Sequence, residues 1–240
     1  MGMLSNKIDQ KQLKPGDHIY SWRQAYLYSH HGIYVGDGMV INFTTGAVQQ
    51  AETPTIFERF FTSSAPKFNT PCSRCCYGSR TRTDGVIKSC LDCFLSGGEL
   101  YLFQYGVSYT VFLAQVRGGT CTLASSDPTE EVLRCTFYLL ENGFGGYNVL
   151  KNNCEDFAIY CKTGLLVPQS GQAASYLAAA SSMASSSSGF LMSGIFGMTF
   201  FGCGTYCIKR LVFDIGFRHE VIKDVTKVPV EKILEMARGN

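Results

Sequence analysis

The sequence predicts an α+β fold, an antiparallel sheet with packed helices, and three observations carry that prediction. Runs rich in aromatic and β-branched residues lie in the first half of the chain. Capped helix starts come later, at Asp127 and Asn153. Strands and helices are therefore segregated along the chain, the mark of α+β rather than of a parallel α/β sheet.

Taken in order, Lys14-Pro15-Gly16-Asp17 is a turn, and His18 to Trp22 reads as a first strand. His30 to Val35 and Met39 to Phe43 form a hairpin around Gly36-Asp37-Gly38, a strong turn signal. Leu100 to Phe103 and Tyr109 to Val116 read as further strands. Asp127-Pro128-Thr129-Glu130 opens a helix, with an N-cap carboxylate, proline at the first position and glutamate three residues after the cap. It runs to about Leu140 and stops near Asn142-Gly143. A second helix runs from about Asn153 to Lys162, stopped by Gly164. A short helical pattern covers Val230 to Ala237.

The chain has 240 residues, 45% of them hydrophobic, so it can bury a sizeable core and disorder is not the default. Charged residues make up 17%, below the usual ~25%, which points toward membrane contact. A net charge of +2 leaves no electrostatic footprint for a nucleic acid. Met1 to Asp17 has no apolar run of the secretory kind, so the expected setting is cytoplasmic, against an intracellular membrane. In that reducing compartment the eleven cysteines are expected as thiols or metal ligands rather than disulfides.

The chemistry centres on Asn152-Asn153-Cys154-Glu155-Asp156-Phe157. Cys154 opens a helix, where free backbone N–H groups and the dipole favour a thiolate. Glu155 and Asp156 oppose it. A buried helix cysteine is the bland alternative. His30 and His31 are adjacent on a strand and so face opposite sides, and at most one reaches a given site. His18 and His219 belong to no constellation.

His30-His31-Gly32-Ile33-Tyr34-Val35-Gly36 together with Asn153-Cys154-Glu155 resembles the lecithin:retinol acyltransferase family, and within it the plant, lead-sensitive type. The resemblance covers roughly Leu13 to Leu166. It implies a circularly permuted papain-like fold and no catalytic cofactor. It also implies an acyl chain taken from a membrane phospholipid onto the cysteine and passed to an alcohol, an amine or water. By the same resemblance Cys154 is the nucleophile and His30 the general base. Asn42 stands where the family has a second histidine, and asparagine can orient an imidazole in a Cys-His-Asn arrangement. Three functions stay open: a thiol acyltransferase or phospholipase, a catalytically weak lipid-binding or scaffold domain, and a cysteine peptidase or amidase.

Within the expected domain 13–166, the segment 60–98 is cysteine-, serine- and glycine-rich and fits no regular period. Cys72-x-x-Cys75 and Cys90-x-x-Cys93, with fourteen residues between them, suit a structural tetrahedral zinc. Beyond the domain come a Ser/Ala-rich linker (167–188), an uncharged stretch (189–208) and a polar tail (209–240). Twenty helical residues span ~30 Å, so 189–208 is expected to anchor the chain at a membrane, by spanning or by lying on it.

Overall fold

This computed structural model describes residues 6–23, 28–44, 72, 85–115, 117–146, 152–166 and 206–233. Five strands form one antiparallel sheet: β1 (His18–Arg23), β2 (Tyr28–Gly36), β3 (Met39–Thr44), β4 (Gly85–Cys90) and β5 (Tyr101–Leu102). The spatial order is β4-β3-β2-β1-β5, which puts β2 at the centre. The expected hairpin forms with a two-residue Asp37-Gly38 loop. Asp37 at φ 51° and Gly38 at φ 69° supply the two left-handed residues that such a turn demands.

Alternation along β2 gives the sheet two different faces. Ile33, with Ile41 and Phe43 of β3, meets Phe157, Ala158 and Cys161 of α4 (Cys154–Thr163). Val132 and Leu139 of α3 (Thr129–Asn142) close that core. On the other face Ile19 and Val40 pack under Leu91, Phe94 and Leu95 of the short helix α1 (Leu91–Leu95). Gly32 of β2 is bare for a reason. A Cβ there would lie 2.7 Å from Val40 Cγ1 and 3.0 Å from Phe94 Cε2.

Three sequence expectations need correction. Tyr109–Ala114 is a helix, α2, and not a strand. Ser108 caps it by accepting from Val111 N–H, and the buried Arg210 guanidinium donates to the carbonyls of Phe112 and Gln115 at its far end. Those tertiary bonds override the strand propensity of the run. The cysteine-rich segment is not irregular throughout: β4 pairs with β3 from Met39↔Cys90 to Thr44↔Gly85, and α1 follows directly. Asp127 does not cap α3, whose N-cap is Pro128; its carboxylate takes the Lys227 ammonium instead. The α4 boundaries hold, with Asn153 as N-cap and Gly164 at φ 66° as the left-handed stop.

The expected polar tail contributes to the core. Asp214 caps the Ile215–Phe217 turn and accepts from Leu123 N–H at 3.2 Å. Ile215, Val225, Val230 and Ile233 are buried, and Tyr160 donates to the Val228 carbonyl at 2.6 Å. Among the described residues no helix is long and apolar enough to cross a membrane. Most of the stretch expected as an anchor, 189–205, lies outside them, as does 234–237 of the last helical pattern.

A polar chain runs through the α4 side of the sheet. The Tyr105 hydroxyl lies 2.7 Å from His18 Nδ1, His18 Nε2 lies 2.8 Å from His31 Nδ1, and His31 Nε2 lies 2.7 Å from Ser29 Oγ. Burial, helped by His31, pushes His18 well below its ordinary range; burial, helped by His30, pushes His31 down to about 3. Both rings are therefore neutral in the folded protein, whereas in the unfolded chain they bind protons below pH ~6.5.

Two outcomes are expected. The stability from the buried pair is complete above pH ~6.5 and declines as pH falls toward 3, because the unfolded chain takes up the protons. Urea unfolding at several pH values should show that slope, and a His18→Gln/His31→Gln double variant should lessen it, leaving the share of the likewise buried His30; an unchanged slope would assign it to other groups. Gly32→Ala should cost ~1–3 kcal/mol by overpacking against Val40 and Phe94, read from the urea midpoint.

Candidate active site

His30 sits opposite Ser21 of β1, on the α1 face of β2. Its ring lies against Phe94, with centroids 5.0 Å apart. Nε2 is 3.1 Å from the Asn42 amide nitrogen, and Ser89 Oγ donates to Asn42 Oδ1 at 3.4 Å. Asn42 and Ser89 are both buried. The expected His30–Asn42 pair thus forms, with Ser89 of β4 behind it. Since Nε2 is taken by Asn42, Nδ1 is the nitrogen left for a thiol. For Nδ1 to be a base, the amide must present Oδ1 to an Nε2–H, and the Ser89 hydroxyl suits either orientation because it both donates and accepts.

Cys154 occupies the first position of α4 and is 6% exposed. Its sulfur lies 3.9 Å from the Ser29 carbonyl and also receives the His31 backbone N–H. The nucleophile candidate is therefore seated against the backbone on both sides of His30. Among the described residues, no hydrogen bond joins the thiol to the imidazole.

The electrostatics leave both groups neutral. Burial drives the Cys154 thiol up to about 12. The His31 N–H works the other way, and Glu155 and Asp156 add to the rise. The helix start does little to counter this. Its Glu155 and Asp156 N–H groups donate to Asn153 Oδ1 at 2.8 and 3.2 Å, and the Phe157 N–H donates to the Asn153 carbonyl. The thiolate-favouring dipole expected from sequence is thus largely satisfied by the cap. Burial, helped by the charge of Arg23, lowers His30 to about 3.

Arg23 carries no motif and escaped the sequence reading. At the end of β1 it donates to the carbonyls of Phe94 and Leu95, the latter at 2.5 Å, and to Ser21 Oγ at 3.0 Å. It caps the C-terminal end of α1 and lies within electrostatic reach of both His30 and Cys154. Ser89 and the Tyr105–His18–His31–Ser29 chain were missed as well. Only the strand parity of His18 and His31 hinted at the chain, and it does not reveal the partner across the sheet.

A second cluster stands at the N-terminal end of α1. The sulfurs of Cys72, Cys90 and Cys93 lie within 4.8 Å of one another, and Cys72 and Cys90 are 3.8 Å apart. Three of the four thiols expected to hold zinc are thus brought together. The fourth, Cys75, lies outside the described residues.

Comparison with known proteins agrees with this architecture. The family model described as "Lecithin retinol acyltransferase" matches residues 11–167, a span that contains His30, Asn42 and Cys154. The chain is 50% identical over 231 residues to "Protein LEAD-SENSITIVE 1" of Arabidopsis thaliana, covering 93% of this chain and 88% of that protein. With the family's match extending across more than half of its length and a relative at half identity, this chain belongs to the lecithin retinol acyltransferase family.

Proposed function

We propose that this chain is a thiol-dependent acyltransferase or phospholipase that forms an acyl–Cys154 thioester from a membrane phospholipid. Family membership supports acyl transfer in general terms. The observation that carries the finer reading is the His30–Asn42 pair at 3.1 Å, beside a buried cysteine lodged against the backbone that flanks His30.

In the proposed reaction, His30 Nδ1 takes the proton of Cys154 as its sulfur attacks the ester carbonyl. The Cys154 backbone N–H, which the Asn153 side chain leaves unclaimed and which reaches its own sulfur, is a candidate donor to the oxyanion. Collapse of the tetrahedral intermediate breaks the ester C–O bond, and His30 returns the proton to the departing lysophospholipid oxygen. An alcohol, amine or water then gives its proton to His30 and attacks the thioester carbonyl. The C–S bond breaks, and the proton passes to sulfur to restore the thiol. Substrate binding must bring Sγ and Nδ1 into contact for the first transfer, a tightening common between apo and substrate-bound sites.

A second reading is a lipid-binding domain with little turnover. It is favoured by the neutral resting pair, the thiol raised to about 12 and the imidazole lowered to about 3.

Intact mass after incubation with phosphatidylcholine vesicles separates the two. The enzyme reading expects a gain of one acyl chain that is absent in Cys154→Ala, with turnover lowered by roughly 10³-fold or more in that variant. Folded, vesicle-bound protein with neither adduct nor lysolipid would favour the binding domain. Asn42→His should raise the rate by restoring a stronger orienter, and an unchanged rate would remove Asn42 from the site. Because both groups titrate far from neutrality, kcat/KM should be flat between pH ~5 and ~9. An inflection near 6.5 would mean that a normally titrating histidine controls the reaction.

A further inference from the structure

We propose that Cys72, Cys90 and Cys93 bind a zinc ion that fixes α1 to the end of the sheet. With Zn–S bonds of ~2.3 Å, a tetrahedral site has sulfurs ~3.8 Å apart along each edge. The Cys72–Cys90 separation is 3.8 Å, and the third sulfur falls within the same 4.8 Å. A disulfide would need ~2.05 Å, so the observed spacing is that of co-ligands and not of a covalent pair.

The backbone suits the task. Cys90 ends β4 and is the N-cap of α1, with extended φ −74° and ψ 157°, and Cys93 lies within the first turn of the helix. That places the two sulfurs of a Cys-x-x-Cys unit on one side, both 4% exposed. Cys72, eighteen residues before Cys90, is brought back onto them. An all-thiolate donor set is soft and suits zinc, copper(I) or iron, and zinc is the redox-inert choice for holding structure. Cys72, Cys90 and Cys93 supply three of the tetrahedron's four positions.

The consequence reaches the active site without placing the metal in it. The α1 helix is five residues long, too short to be stable by itself. It presents Phe94 to the His30 ring, and Arg23 holds its C-terminal carbonyls. Metal at one end and guanidinium at the other pin the wall against which His30 rests.

The test is the metal content of the full chain, purified without chelator. About one zinc per chain is expected, with an absorption-edge sulfur shell near 2.3 Å. Cys72→Ser, Cys90→Ser and Cys93→Ser should each lose the metal, while Cys207→Ser, a thiol outside the cluster, should keep it. Cys72→His, which supplies another zinc donor, should retain metal and so separates lost ligation from lost folding. A strong chelator should lower the melting temperature of the wild type and leave Cys72→Ser unmoved. Metal-free wild-type protein would overturn the proposal. So would iron or copper in place of zinc, zinc retained in the triple serine variant, or a Cys72–Cys90 disulfide seen as the loss of two hydrogens.

Discussion

The alternation of side chains along β2 is the constraint on which the rest of this molecule depends. Successive residues of a strand point to opposite faces, so adjacent His30 and His31 are committed to different surroundings. His30 turns toward Phe94 and Asn42, and His31 toward His18 and the layer under α4. A slip of one residue in the β1–β2 register would exchange the two environments and put Ile33 on the α1 side. Register is secured from both directions. Gly32 admits Val40 and Phe94 on one face, and Ile33 is wholly buried against α4 on the other.

Burial of the site follows from this arrangement and sets its protonation. Burial, more than any neighbouring charge, sets the protonation of His30, His31 and Cys154. A cysteine in such surroundings rests as the thiol. Arg23 lies within electrostatic reach of Cys154, and its own carbonyl partners hold it in place.

Much of this was readable in the residues, and what was not has a physical explanation. The Asp37-Gly38 turn is short-range chemistry, and so is the Gly164 stop, so both fell where expected. The pairing of His30 with Asn42 was legible because a tight hairpin joins their strands. The proximity of Cys90 and Cys93 follows from their spacing, whereas the return of Cys72 to them is tertiary. The helix at Tyr109–Ala114 depends on Arg210, about a hundred residues away, and no local propensity encodes that. The β4 strand was hidden because its stabilising partner is β3, across a long separation, while its own flanks are glycine, serine and cysteine. Arg23 was invisible for a similar reason: its role is to cap a helix seventy residues further on, and nothing in its neighbourhood signals that.

The packing of residues 206–233 carries a topological consequence. Arg210 binds the carbonyls of Phe112 and Gln115, Asp214 accepts from Leu123, and Lys227 bridges to Leu165. Residues 6–166 and 206–233, as far as they are described, therefore belong to one folded body. Separating residues 206–233 from the domain would tear Val225, Val230 and Ile233 out of the core. Residues 206–233 thus act as a clasp on the domain, and the sheet and helices before them reach their full packing only once this late part of the chain has closed on them.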